Sequence, residues 1–240
     1  MYVGCATWAV GAANDHLLPQ VPGGNLARYA ARLSAAEVNS SFHREHRPAT
    51  WGRWARSVGP SFRFSVKLPK SITHERRLAE VEALLDGFAA GVELLGEKLA
   101  VVPVQLPPSL AFDADVFDAF RQRLAERVPV AAALEPRHPS WFDEGVDSFL
   151  AERHVARVAA DPAVVPSAAE PGGWSGLRYF RLHGSPVTYR SPYDPVFLRS
   201  LAARLDPGDW CIFDNTTSGA ALPNAVELLA RLADTSASAT

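Results

Sequence analysis

Phe62-Arg63-Phe64-Ser65-Val66-Lys67 alternates between two kinds of side chain, with Phe62, Phe64 and Val66 on one parity and Arg63, Ser65 and Lys67 on the other. Successive side chains of a strand point to opposite faces, so a strand here buries one face and carries polar groups on the other. In an open doubly wound sheet helices cover both faces, and both parities read apolar. A barrel packs one face under helices and turns the other into its lumen. The stretch 178–183 repeats the pattern, with Phe180 and Leu182 opposing Tyr179, Arg181 and His183. The stretch 130–135 sets Leu134 against Ala131, Ala133 and Glu135. The alternation points to a barrel.

Five further short apolar runs, 2–5, 36–39, 99–105, 155–159 and 210–215, bring the total to eight. Each run ends on polar or charged residues, among them Thr7 (followed by Trp8), Asn39, Lys67, Gln105, Glu135, Asp161, Arg181, His183 and Asn215. Between them the apolar spacing changes to a helical period: 25–33, a helix capped at Thr50, 78–95 stopped by Gly96, 113–126, and shorter stretches near 143–153, 195–205 and 222–233. Residues 161–176 are rich in Pro, Ala and Gly and lack that period, so a loop is expected in place of the sixth helix. The reading is an α/β fold, a single closed eight-stranded parallel (β/α)8 TIM-like barrel over residues 1–234, with 235–240 a disordered tail. Active sites of such barrels sit at the carboxyl ends of the strands.

The chain has 240 residues, 48% of them hydrophobic and 21% charged, with a formal charge of −2. That balance excludes a general attraction to nucleic acid or anionic membrane, though not a local basic rim. No run approaches the roughly 20 apolar residues of a membrane helix. Met1 leads almost directly into a strand, so no signal peptide and a cytoplasmic setting are expected. Cys5 and Cys211 fall in the first and last runs. A closed barrel makes those strands neighbours, and two buried free thiols are expected there.

The stretches Gly4-Cys5-Ala6-Thr7-Trp8, Glu37-Val38-Asn39-Ser40-Ser41-Phe42 and Phe62–Pro69, with Ile72-Thr73-His74 and Gln105-Leu106-Pro107-Pro108-Ser109, recur in one known group of proteins. So do Glu135-Pro136-Arg137-His138-Pro139-Ser140-Trp141-Phe142, Arg181-Leu182-His183-Gly184 and Phe213-Asp214-Asn215. On these the chain resembles the YecE-like family, TIM-barrel proteins of unknown function. The resemblance implies the barrel and a rim site and supplies no reaction. His43 stands where the family usually carries an aromatic residue, and 9–19 is shorter than usual.

Lys67 and the segment Glu135-Pro136-Arg137-His138 carry the strongest chemical signal. A carboxylate serves as a general base, a guanidinium clamps a carboxylate or phosphate, and an imidazole shuttles protons. The first reading is a metal-independent enzyme acting by acid–base chemistry on a small anionic substrate, phosphorylated or sugar-like. Glu135, Lys67, His183 and His138 are its catalytic candidates. Arg137, Asn39, Gln105, Arg181, Asp161, Asn215, Thr217, Gly219 and Trp8 are its substrate-binding candidates. Lys67 and Glu135 share the lumen-facing parity on alternate strands and are expected to converge, pairing directly, through Arg137, or through ligand. Asn215, Thr217 and Gly219 open a turn before a helix, where barrels commonly bind phosphate with backbone amides.

Two alternatives stand beside this reading. No cofactor is required, but Glu135, His138, Asp161 and His183 offer a donor set for a divalent metal in a hydrolase, isomerase or nuclease. Arg44, Arg47, Arg53, Arg56, Arg63, Lys70, Arg76 and Arg77, interleaved with Trp51 and Trp54, suit a solvated face or a non-catalytic module binding nucleic acid or protein.

Overall fold

Strands and helices alternate around a barrel-like sheet in the computed structural model, which describes residues 1–237, with side chains as far as 234. The strands are β1 (Tyr2–Cys5), β2 (Ala35–Val38), β3 (Arg63–Val66), β4 (Leu99–Gln105), β5 (Ala131–Glu135), β6 (Val155–Arg157), β7 (Ala159–Asp161), β8 (Gly172–Gly173), β9 (Tyr179–Leu182) and β10 (Trp210–Phe213). The helices are α1 (Asn25–Ala30), α2 (Pro48–Arg56), α3 (Glu82–Val92), α4 (Ala114–Arg127), α5 (Val146–Glu152), α6 (Pro195–Ala202) and α7 (Ala221–Ala237). Among the described residues, no helix is long and apolar enough to cross a membrane.

The sheet runs β7-β9-β10-β1-β2-β3-β4-β5-β6-β8. Its ten strand segments and one antiparallel pair, β6 with β8, differ from the uniform parallel set that the sequence suggests. The sixth apolar run is the cause. It breaks at Val158, so that β6 pairs with β5 and β7 pairs with β9. Val158 bridges the break and donates its amide to Leu134 O at 2.9 Å. The two halves of one run thus sit near opposite ends of the sheet, which nearly closes on itself.

Between β7 and β9 lie a short 3-10 turn, Pro166–Ala169, and β8, with no α-helix, as the composition of that stretch suggests. The second helix begins at Pro48, two residues before Thr50, because proline's fixed φ suits a first helical position. The third begins at Glu82, since Leu78 is held at φ 72 outside it. Helix α7 reaches Ala237, and residues 238–240 of the expected tail lie outside the described residues.

Parity divides the core into two clusters. Phe64 and Val66 of β3, Val102 and Val104 of β4, Leu134 of β5 and Phe180 and Leu182 of β9 pack outward with Leu85, Phe120, Leu150 and Leu198 of the helices. The opposite parity supplies Ala35, Val101, Ala133, Ala156, Val158, Tyr179, Trp210 and Ile212 to the lumen. Small residues on most strands leave room for a few large ones. Tyr179 stacks on Trp210 at 5.7 Å, and Trp210 on Tyr2 at 4.8 Å. These rings fill the amino-terminal half of the lumen and leave its carboxyl half to charged groups.

Cys5 and Cys211 lie on the paired strands β1 and β10, where Cys211 is opposite Val3. Both are buried free thiols. Burial pushes the Cys5 thiol up to about 12, which makes it a poor nucleophile.

Candidate functional site

Arg181 stands on the lumen parity of β9, one step above Tyr179, and is completely buried. A guanidinium has five N–H donors, and each meets an acceptor here. Nε and Nη2 grip Glu37 of β2 at 3.0 and 2.6 Å. Nη1 reaches Glu135 of β5 at 2.5 Å and Gln105 of β4 at 3.1 Å. Nη2 also reaches Asp214, just past β10, at 3.2 Å. Tyr179 donates to Glu37 at 3.0 Å, and its oxygen lies 2.8 Å from Ser65, which ties this hub to the ring-filled layer below.

His183, two residues beyond Arg181 and on the same parity, has Nδ1 3.0 Å from Asp214. Its Nε2 lies 2.9 Å from both Glu135 Oε1 and Arg137 Nη2. One nitrogen cannot donate to one of these and accept from the other at once. As imidazolium, His183 donates to Glu135; as a neutral ring with its proton on Nδ1, it accepts from Arg137. Burial disfavours the imidazolium, but Glu135 and Asp214 outweigh burial and raise the pKa of His183 above its ordinary value. Burial likewise opposes ionised Glu135, yet His183, Arg181 and Arg137 hold its carboxyl well below the usual range. Arg137 forms an ion pair with Glu135 as well.

Lys67 reaches the same space and is treated differently. It is 5% exposed, and its ammonium lies 4.1 Å from the centre of the Phe42 ring. No hydrogen bond or ion pair to it is found among the described residues. Burial, then the field of Arg181, lowers its pKa to about 8 despite the pull of Glu37, Glu135 and Asp214. Lys67 and Glu135 therefore converge on one rim without pairing directly, because Arg137, Arg181 and His183 already surround Glu135.

The charge balance follows. With His183 protonated, its imidazolium and the two guanidiniums offset the carboxylates of Glu37, Glu135 and Asp214, and Lys67 adds one positive charge. Among the described residues of the rim, the buried Nε of Arg137 and the buried Oδ1 atoms of Asn39 and Asn215 have no hydrogen-bond partner, and the Lys67 ammonium has neither a hydrogen bond nor an ion pair.

The other candidates divide. Gln105 joins the hub through Arg181. His138 turns away and caps the turn Pro139–Phe142, its Nδ1 accepting from the Ser140 amide at 3.2 Å. Asp161 accepts from the Tyr193 hydroxyl at 2.7 Å. The metal set Glu135, His138, Asp161 and His183 is thus not brought together, and no group of three or more His, Cys, Asp or Glu side chains suited to a metal occurs among the described residues. Asn215 donates to Ser191 O and Asn224 Oδ1 and braces the loops. The amides of Thr217 and Gly219 are bonded to Tyr189 O and Thr216 O, so this turn does not offer them to a phosphate. Trp8 packs edge-on against Trp54 and Phe64.

Glu37 and Asp214 belong to the hub and were not among the site candidates. Parity was the available signal: Glu37 follows Ala35, and Asp214 follows Trp210 and Ile212, at alternate positions. Tyr189 carried no such signal. It lies in the loop 184–194, held at φ 66, with its ring edge-on to His183 at 5.6 Å.

Residues 2–240 match the family described as Protein of unknown function DUF72. The UPF0759 protein YecE of Escherichia coli K12 is 26% identical over 151 residues, covering 60% of this chain and 54% of that protein. The chain thus spans about half the length of the curated relatives it matches. A crystal structure of a DUF72 family protein from Enterococcus faecalis V583 superposes with a TM-score of 0.77 at 18% identity, covering 97% of this chain and 95% of that one. One from Thermotoga maritima MSB8 gives 0.76 at 22% identity, covering 97% and 98%. At those identities the likeness is one of fold, and the barrel-like sheet is common to them. A family pattern that runs from residue 2 to residue 240 makes the chain a member of the DUF72, YecE-like family, whose function is unknown.

Proposed function

We propose that the chain is an enzyme doing acid–base chemistry on a small anionic metabolite, phosphorylated or sugar-like, at the carboxyl rim of the barrel. In this reading β6 and β7 count as one kinked strand and β8 as an appendage, which makes the barrel eight-stranded. Lys67 and Arg137 hold the anion, and Asn39 accepts from a hydroxyl of the substrate. Glu135 and His183 move the proton. When Arg137 swings onto the anion it leaves Nε2 of His183, and the ring exchanges its proton with the substrate under the orientation set by Asp214. Arg181 is a positioning residue, since its donors are all engaged within the protein.

The observation that carries this reading is the contrast between Arg181, saturated with partners, and the Lys67 ammonium, unpaired beside it in a mostly buried space. A buried charge without a counter-ion is unfavourable, and an anionic ligand supplies one. The metal-dependent alternative draws no comparable support, because two of its four donors have other partners.

A thermal-shift screen of sugar phosphates and small carboxylates tests the reading, since a ligand that prefers the folded state raises Tm. Lys67→Met and Arg137→Gln are expected to abolish the shift. His183→Gln is expected to retain binding and lose turnover. A ligand whose shift survives Lys67→Met would overturn the assignment.

A further inference from the structure

The basic segment 44–77 does not act as one patch. Lys70 pairs with Glu75 and Arg76 with Glu80. Arg77 donates to Ser109, and Arg63 to Pro60 O. Arg44, Arg47 and Arg53 instead line one groove of about 510 Å³, beside the barrel mouth and lined also by Trp8 and Trp54. Elsewhere Arg28 pairs with Asp15, Arg123 with Glu82, Arg153 with Asp118 and Arg204 with Glu170. The three in the groove have no such partner among the described residues. Glu45 is the one carboxylate in its lining.

Two further features favour an anion there. Helix α2 starts at the groove with Pro48 as its first residue, and no side chain caps its first turn. The positive end of its dipole therefore adds to the field of the arginines. Trp8 and Trp54 meet edge to face at 4.9 Å, both half-buried, and both line the groove. Indole surface beside guanidinium groups suits a ligand that joins a flat, uncharged ring to an anionic group.

We propose that this groove binds a small ligand joining a phosphate to a flat ring, an aryl or nucleoside monophosphate. The volume lies within the range of about 300–1,000 Å³ usual for small-molecule sites. A nucleic-acid strand fits less well, because the basic track ends where Lys70 and Arg76 are neutralised by their own neighbours.

The test uses adenosine 5′-monophosphate as probe on the full chain, read by tryptophan fluorescence and by calorimetry. Saturable binding is expected, with quenching of indole emission. Arg47→Ala combined with Arg53→Ala is expected to weaken it at least about tenfold, which corresponds to 1.4 kcal/mol. These side chains are exposed, so the variant should keep its fold, checked by circular dichroism. Glu45→Gln is expected to tighten binding and gives a second reading with the opposite sign. Arg123→Ala, on a paired surface arginine, should leave binding unchanged. Lys67→Met should also leave it unchanged, which separates this groove from the barrel mouth. Failure to saturate at millimolar probe would overturn the proposal, as would indifference to the double substitution or tighter binding on removal of the arginines. A single-stranded oligonucleotide binding far more tightly than the mononucleotide at physiological salt would make the groove a nucleic-acid surface and would also overturn it.

Discussion

Lys67 and Arg181 are two cations in one lumen with opposite energetics. Arg181 neutralises carboxylates from three strand ends, so its removal leaves them facing one another without a counter-charge. Breaking a buried pair costs about 3–5 kcal/mol, and Arg181→Ala is expected to lose at least that, read from the denaturant midpoint. A loss under about 1 kcal/mol would show that the hub does not hold the upper barrel. For Lys67, burial penalises the ammonium more than the nearby carboxylates reward it. With its pKa lowered from 10.5 to about 8, the unfolded chain binds the extra proton between those values, and stability rises with pH across that window. Lys67→Met is expected to stabilise the protein at pH 7 by up to about 3 kcal/mol, at 1.36 kcal/mol per pH unit. That gain should shrink between pH 8 and 10.5. A Met variant less stable than the parent at pH 7 would mark Lys67 as a structural partner instead.

The sixth unit of the barrel lacks its helix, and one side chain takes over the bracing. Arg157, at the end of β6 and 4% exposed, forks onto Asp147 of α5 at 2.7 and 2.8 Å. Its Nη1 donates to Ser167 O and Glu170 O, carbonyls of the loop that stands where a helix would pack. Arg157→Ala removes both links and opens a cavity where the buried guanidinium stood. A destabilisation of about 2–4 kcal/mol is expected, with faster proteolytic cleavage within residues 162–176. Unchanged cleavage would mean that β8 alone secures the loop. The β1–β2 seam shows a related device. Tyr29 of α1 places its hydroxyl between the strands, accepting from the Cys5 amide at 2.7 Å and donating to Ala35 O at 2.9 Å. Tyr29→Phe strands both backbone groups and should cost about 1–3 kcal/mol in a denaturation experiment.

Taken across the whole barrel, the buried charges imply a stability profile with several limbs. Glu135 and Asp214 are held below their ordinary values, so the stability they contribute is present above about pH 4 and lost as pH falls further. His183 is raised, so its contribution is full below about pH 6.5 and is lost as pH rises through its higher folded value. Stability is therefore expected to peak on the acid side of neutrality and to decline as pH rises through the folded value of His183, while Lys67 adds a rising limb between pH 8 and 10.5. Melting temperatures of the parent and of His183→Gln across this range test the sequence of limbs. The decline above pH 6.5 should be absent from the variant, and its persistence would assign that limb to another group.

Alternation along single strands was enough to tell lumen from outer face, because the period of a strand is local and survives without its neighbours. It placed Lys67, Gln105, Glu135, Arg181 and His183 on one rim, and it foresaw the loop in place of the sixth helix from the absence of any helical period. The break at Val158 was not legible, since a run of apolar residues reads the same whether it pairs with one strand or changes partners midway. Nor was the partnership of Arg181 with Glu37, Glu135 and Asp214, residues brought together from far along the chain by closure of the sheet. His138 and Asp161 had the right chemistry for a site, but a local turn and the Tyr193 hydroxyl claimed them. The sequence by itself determined which residue types reach the rim, through strand parity and burial. Only the tertiary structure decided which of those charges neutralise one another and which one, Lys67, is left over, because pairing between buried charges is set by distances across the lumen.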